Sequence, residues 1–186
     1  MTSFLQIKNI FYSGGHSFRG DSDPINEITF LVDEGFIQIQ QVSIASKDVY
    51  LELFQDSSLL HQRDEAAGGS LEHVCLKICA SNYLKSRGVI CEFEHPFCGY
   101  YPDVVSTDRS VVIECGHTQN AEKMLTYFQQ GNINEFIQVP YPDVSDDNII
   151  GYQFLSINPD LKGFLDYLEQ EKRQDIKQIF KSRGKE

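Results

Sequence analysis

The stretch from Tyr101 to Gly116, Tyr-Pro-Asp-Val-Val-Ser-Thr-Asp-Arg-Ser-Val-Val-Ile-Glu-Cys-Gly, constrains the fold more than any other part of the sequence. A Pro-Asp opens a short β-branched run, a polar turn follows, and a second apolar run carries a glutamate near its far end. Pairing Val104–Ser106 with Ser110–Gly116 as a hairpin brings Asp103 and Glu114 to the same edge of a sheet. Two carboxylates placed there suit a hard divalent cation, Mg²⁺ or Mn²⁺, because such an ion takes oxygen ligands and keeps several of its waters. A bound ion of this kind acidifies water and stabilises the charge of an in-line displacement, so phosphodiester hydrolysis is the reaction class the pair points to.

The surrounding pattern predicts the elements that frame this hairpin. Gln62–Ser70 is polar and glycine-containing and separates two parts of the chain. Ser70 then caps a helix with Val74, Ile78 and Leu84 on its core face, and Gly88 stops it. Val89–Phe93, Val104–Ser106 and Val111–Cys115 read as strands, Ala121–Gln130 as a helix ended by Gly131, and Glu135–Val139 as a strand ended by Pro140. The order is helix, three strands, helix, strand. Upstream, Leu5–Tyr12 reads as a strand and Ile28–Phe54 as a β-meander turning at Asp33-Glu34-Gly35. The loop Ser13–Ser17 reads as a turn, since no Walker-type lysine follows its glycine pair. The expectation is a β-rich N-terminal segment at residues 1–66 and an α/β core at 67–186 with a mixed central sheet flanked by helices. Asn158-Pro159-Asp160 opens a long amphipathic helix through Leu161, Phe164, Leu165, Leu168, Ile176, Ile179 and Phe180. That helix packs on the domain or offers a surface to a second copy or a protein partner.

Between Ser70 and Pro140 the chain resembles the PD-(D/E)xK, or restriction-endonuclease-like, nuclease superfamily. The signature of that family is a Pro-Asp, a variable gap, and then an acidic residue, any residue and a lysine on the next strand. Pro102-Asp103 matches its first half and Glu114-Cys115 the start of its second. The resemblance implies a restriction-endonuclease-like core acting on DNA or RNA. Asp103 and Glu114 would ligate the metal, the Cys115 carbonyl would be a third ligand, and Glu72 on the preceding helix would hold a metal-bound water. The chain departs from the family at Gly116, where the lysine should stand. Lys123 is the candidate replacement, because members of the superfamily move this lysine to the following helix, and Lys123 and Tyr127 lie four apart on one helix face. His117 is the rival, able to act as a base near neutral pH.

Composition sets limits on this reading. The formal net charge of −11 opposes a broad basic surface for nucleic acid, although lysines and arginines crowd the segment from Lys162 to Lys185. The acidic total and Gly116 motivate a second expectation, a catalytically silent module that binds nucleic acid or a protein. The 41% hydrophobic content suits a packed globular protein, and no apolar run approaches the roughly 18 residues of a membrane span. The N-terminus lacks the features of a secretory signal, which predicts a cytoplasmic location. The five cysteines include no Cys-x-x-Cys pair and read as small buried hydrophobes. Asp143, Asp146 and Asp147 read as a solvated turn.

Overall fold

The structure, a computed structural model, describes residues 2–12, 23–56, 70–116, 121–143 and 145–183. The expectations for Ser13–Ser17, for Gln62–Ser70 up to residue 69 and for His117 lie outside the described residues. Among the described residues six strands form one mixed sheet: β1 (Ile37–Ser46), β2 (Cys91–Phe93), β3 (Val104–Ser106), β4 (Val111–Cys115), β5 (Glu135–Val139) and β6 (Asn148–Ser156), in the order β1-β6-β5-β4-β3-β2. β4 and β5 run parallel and the other pairs antiparallel. Every residue of β4 and β5 is buried, which is why both read as nearly continuous apolar runs. A parallel pair needs a crossover, and here it is helix α5 (Ala121–Thr126) continued by a π-helical turn, Tyr127–Gly131.

Helices cover both faces. α1 (Thr2–Tyr12), α2 (Asp23–Asp33), α5 and α6 (Leu161–Arg183) bury Ile7, Ile28, Met124 and Leu165 against Val105, Val112, Phe136 and Phe154. On the other face α3 (Lys47–Gln55) and α4 (Leu71–Ser86) bury Tyr50, Cys75, Leu76 and Leu84 against Val104, Ile113, Ile137 and Ile149. The alternation along each strand divides the two cores, as the period of two requires. All five cysteines are free thiols, with Cys75, Cys79 and Cys115 buried and Cys91 and Cys98 half-buried. No helix among the described residues is long and apolar enough to cross a membrane.

The expected order holds from Leu71 to Val139 as α4, β2, β3, β4, α5 and β5, with Ser70 capping α4 by accepting a hydrogen bond from the His73 backbone N–H. The N-terminal expectation fails. Leu5–Tyr12 lies in α1, where Ile7, Ile10 and Phe11 are buried at helical spacing and Leu5 is exposed. Ile28–Phe54 is not a meander: Ile25, Ile28 and Leu31 line the buried side of α2, only Ile37–Ser46 is a strand, and Tyr50 anchors α3. Three helices and one strand therefore make up the described residues of 1–66, so this segment is not β-rich, and β1 pairs with β6 in the common sheet. β6 itself was not expected after Pro140. Gly151 interrupts its apolar pattern, but pairing with β1 on one side and β5 on the other secures the strand.

The predicted helix Ala121–Gln130 also widens at Tyr127. A Cβ on Gly131 would lie 2.6 Å from Cζ of Phe97, so any other residue there would have to displace that ring from its stack on Tyr127. The turn closes at Asn132, whose left-handed backbone (φ 51°) directs its N–H to the Tyr127 carbonyl. Widened turns of this kind occur often at functional sites.

Candidate active site

The turn between β3 and β4 fixes the register that matters. The Ser106 hydroxyl donates to Asp108 and accepts from the backbone N–H groups of Ser110 and Val111, and Asp108 accepts from Ser110 as well. These hydrogen bonds hold the Asp108 carboxyl below its ordinary range, with the Ser106 hydroxyl contributing most. With the turn held, Val104 faces Ile113 and Val105 faces Val112. The same register carries Asp103 to the position opposite Glu114, at the carboxyl end of the parallel pair β4 and β5. Ligands in open α/β sheets bind at that end of the strands.

Glu114 is only 2% exposed. The Tyr127 hydroxyl donates to its Oε1 at 2.9 Å, and Lys123 Nζ lies 3.5 Å from the same oxygen. Burial pushes the Glu114 carboxyl up to about 7, the nearby Asp103 adds to the rise, and Lys123 and Tyr127 oppose it. Asp103 is 8% exposed and is held from the opposite face: His73 Nε2 lies 2.9 Å from Oδ1, and the Cys115 backbone N–H donates to Oδ2 at 2.7 Å. His73 belongs to the first turn of α4, the positive end of the helix dipole, which favours a carboxylate there. Tyr127 is itself clamped, its ring stacked on Phe97 and edge-on to Tyr100, and Lys123 lies 5.7 Å from the centre of the Tyr100 ring. Two carboxylates from one hairpin, an ammonium from α5 and an imidazole from α4 thus share one edge of the sheet.

Of the residues singled out from the sequence, the structure brings together Asp103, Glu114, Lys123 and Tyr127. Glu72 is exposed on the first turn of α4, where its charge acts on Tyr50, Cys75 and Tyr141, and its neighbour His73 makes the contact with Asp103. Cys115 sends its thiol into the core under α4, where burial keeps it protonated, and contributes its backbone N–H to Asp103. His117 cannot be placed against the site, since it lies outside the described residues.

Gly116 has a physical reason for being glycine. Its backbone is left-handed (φ 84°), and a Cβ there would lie 3.0 Å from the ring of Tyr141, which is itself hydrogen-bonded with Ser70. Tyr141 therefore occupies the space that a lysine side chain at position 116 would enter. His73 and Tyr141 were missed by sequence reasoning. The only local signal for His73 is its place in the first turn of a capped helix. Tyr141 carries no signal beyond following a strand that ends in proline.

Among the described residues no three His, Cys, Asp or Glu side chains cluster closely enough to hold a metal ion between them. A Mg²⁺ or Mn²⁺ site needs fewer, because one or two carboxylates suffice when water and substrate phosphate complete the shell. Asp103 and Glu114 fit that requirement. Each carboxylate has about four lone-pair sites, more than the bonds described above use, and the raised Glu114 reflects a buried negative pair that a cation would relieve. Neither a family model, a curated protein nor a solved structure matches the chain.

Proposed function

We propose that the protein is a divalent-metal-dependent nuclease that hydrolyses phosphodiester bonds in DNA or RNA, a diverged member of the PD-(D/E)xK superfamily with Lys123 in place of the strand lysine. The observation that carries this reading is the convergence of Lys123 on Glu114, with Asp103 opposite Glu114 across the hairpin. The order of elements from α4 to β5 and the Pro102-Asp103 and Glu114-Cys115 pairs support it.

In this reading Asp103 and Glu114 hold Mg²⁺ or Mn²⁺, with the Cys115 carbonyl as a third oxygen and Glu72 steadying a water. The bound ion supplies acidified water and neutralises charge on the phosphate. The residues of the chain do the rest. Glu114 gives up its proton to become a ligand, which its carboxyl near 7 permits at neutral pH. Lys123 offers a compact positive charge beside the reacting phosphate, where a preorganised cation is effective against developing negative charge. Tyr127 and His73 keep the two carboxylates in place. A cytoplasmic location goes with this reading.

The test is a panel of labelled DNA and RNA substrates with Mg²⁺ and Mn²⁺, run beside Asp103→Ala, Glu114→Ala and Lys123→Ala. The first two variants lose metal-dependent cleavage; undiminished cleavage by either sinks the proposal.

A second reading, a silent module that binds nucleic acid or a protein partner, is favoured by one observation. Asp103 and Glu114 are 8% and 2% exposed and already hydrogen-bonded within the protein. Calorimetry separates the two readings, since a folded wild type that takes up no Mn²⁺ belongs to the silent module.

A further inference from the structure

At the carboxyl end of β5 lies a cavity of about 730 Å³ between α1, β1, β6 and the Pro140–Asp143 segment. Its size is that of a small-molecule site, roughly 300 to 1,000 Å³. Gln6 and Asn9 from α1 and Gln41 from β1 line it, together with Tyr141 and Tyr152. Each amide presents both a donor and an acceptor, the complement needed by the mixed edge of a heterocyclic base. A tyrosine ring is a surface on which a base of any sequence can stack, and Tyr152 is half-buried at the cavity. Among the described residues the charged side chains at the cavity are Asp143 and Asp146. The Asp146 carboxylate accepts from the Asp143 backbone N–H at 2.8 Å and so shapes the turn as well as the field. Two carboxylates there disfavour phosphate and favour a neutral ring bearing amino groups.

Tyr141 belongs to both places. One side of its ring lies against Gly116, one residue beyond Cys115, whose backbone N–H holds Asp103, and the same residue lines the cavity. We propose that this cavity is a nucleobase pocket and that the substrate is single-stranded nucleic acid, one unpaired base of which seats beside the phosphate to be cut. The base-binding part stands on the cavity alone; the placement of the phosphate rests on the nuclease reading above. Bases in a duplex are stacked and paired and cannot enter such a pocket, whereas unpaired ones can. The proposal also accounts for the net charge of −11, because a ligand gripped by stacking and amide hydrogen bonds does not need a basic surface.

The test uses the full chain without divalent ions and the uncharged nucleosides adenosine, guanosine, cytidine and uridine as probes, followed by NMR or calorimetry. At least one nucleoside binds, and the double variant Asn9→Ala/Gln41→Ala, both positions being exposed, weakens it at least tenfold without changing the melting temperature. Should that variant fold poorly, Gln41→Leu, which roughly keeps the size of the side chain but removes both hydrogen-bonding groups, weakens the same nucleoside. Binding of a short single strand changes by less than about threefold between 50 and 200 mM salt, against the roughly 10³-fold or greater loss for a protein that makes 6–10 phosphate contacts. Absence of nucleoside binding, or equal binding by wild type and both variants, overturns the pocket. Nucleosides that bind a protein unable to cut any strand with Mg²⁺ or Mn²⁺ leave the pocket standing and remove the nuclease reading. Equal cleavage of intact strands and strands with an abasic residue next to the cut, with no nucleoside binding, does the reverse.

Discussion

Replacing Glu114 by glutamine removes one titrating proton from the centre of the candidate site while keeping the shape of the side chain. The fold raises this carboxyl from an ordinary 4.5 to about 7, mainly by burial. A raised carboxyl binds its proton more tightly in the folded protein than in the unfolded chain. Its contribution to stability is therefore complete below about pH 4.5 and is lost as the pH climbs through 7. At 1.36 kcal/mol per unit, the wild type should lose about 3 kcal/mol relative to Glu114→Gln between pH 4.5 and 8. Ionisable groups away from the site cancel in the difference, whereas Asp103 and Lys123 face Glu114 and change with it, so the figure belongs to the cluster. Urea unfolding of the two proteins from pH 4.5 to 8 in a chelating buffer measures it. A gap that widens with pH in favour of the glutamine variant bears out the buried, charge-crowded carboxylate. Parallel curves over the whole range refute the placement of Glu114 beside Asp103 in a dry site.

In the proposed reading the same proton governs metal affinity. Because a ligating Glu114 must be ionised, Mn²⁺ affinity measured by calorimetry should be about tenfold weaker at pH 6 than at pH 8, and a flat profile would contradict the assignment of Glu114 as a ligand. Lys123→Ala should leave Mn²⁺ binding in place and reduce cleavage about 10²- to 10³-fold, the usual cost of removing one preorganised charge; unchanged cleavage would remove Lys123 from the machinery. Gly116→Lys should not restore the family pattern. It forces a side chain into a left-handed position against the Tyr141 ring, and thermal or urea unfolding should show a loss of at least about 1 to 3 kcal/mol.

The hairpin was legible because its determinants are local. Two β-branched runs and a turn of Ser106, Asp108 and Ser110 specify strand, turn and strand within twelve residues or so of one another, and Asp103 and Glu114 follow from the register. Lys123 stood out through the resemblance, because members of the superfamily move the strand lysine to the following helix, and its spacing from Tyr127 put both on one helix face. The N-terminal part was misread because short apolar runs such as Leu5–Tyr12 suit a buried strand and an amphipathic helix equally until a partner surface is known. There the surface is the sheet face formed by Phe136 and Phe154, far away in sequence, against which the Phe11 ring packs. His73 was hidden because α4 buries Val74, Cys75, Leu76 and Cys79 around much of its circumference, so no apolar stripe points to the face that meets Asp103. Tyr141 reaches Gly116 across a separation of 25 residues through β5, a contact no local pattern announces. Propensity and spacing revealed the elements, and tertiary packing decided which neighbours the two carboxylates received.

The central claim is that Asp103 and Glu114 form a catalytic metal site, and metal-dependent cleavage tests it most directly. Labelled single-stranded DNA and RNA are incubated with the wild type in Mg²⁺, in Mn²⁺ and in excess chelator, alongside folded Asp103→Ala and Glu114→Ala. The account predicts cleavage by the wild type with metal only and none by either variant. Cleavage that survives the chelator or either substitution, or a wild type that cuts nothing and takes up no Mn²⁺, contradicts it.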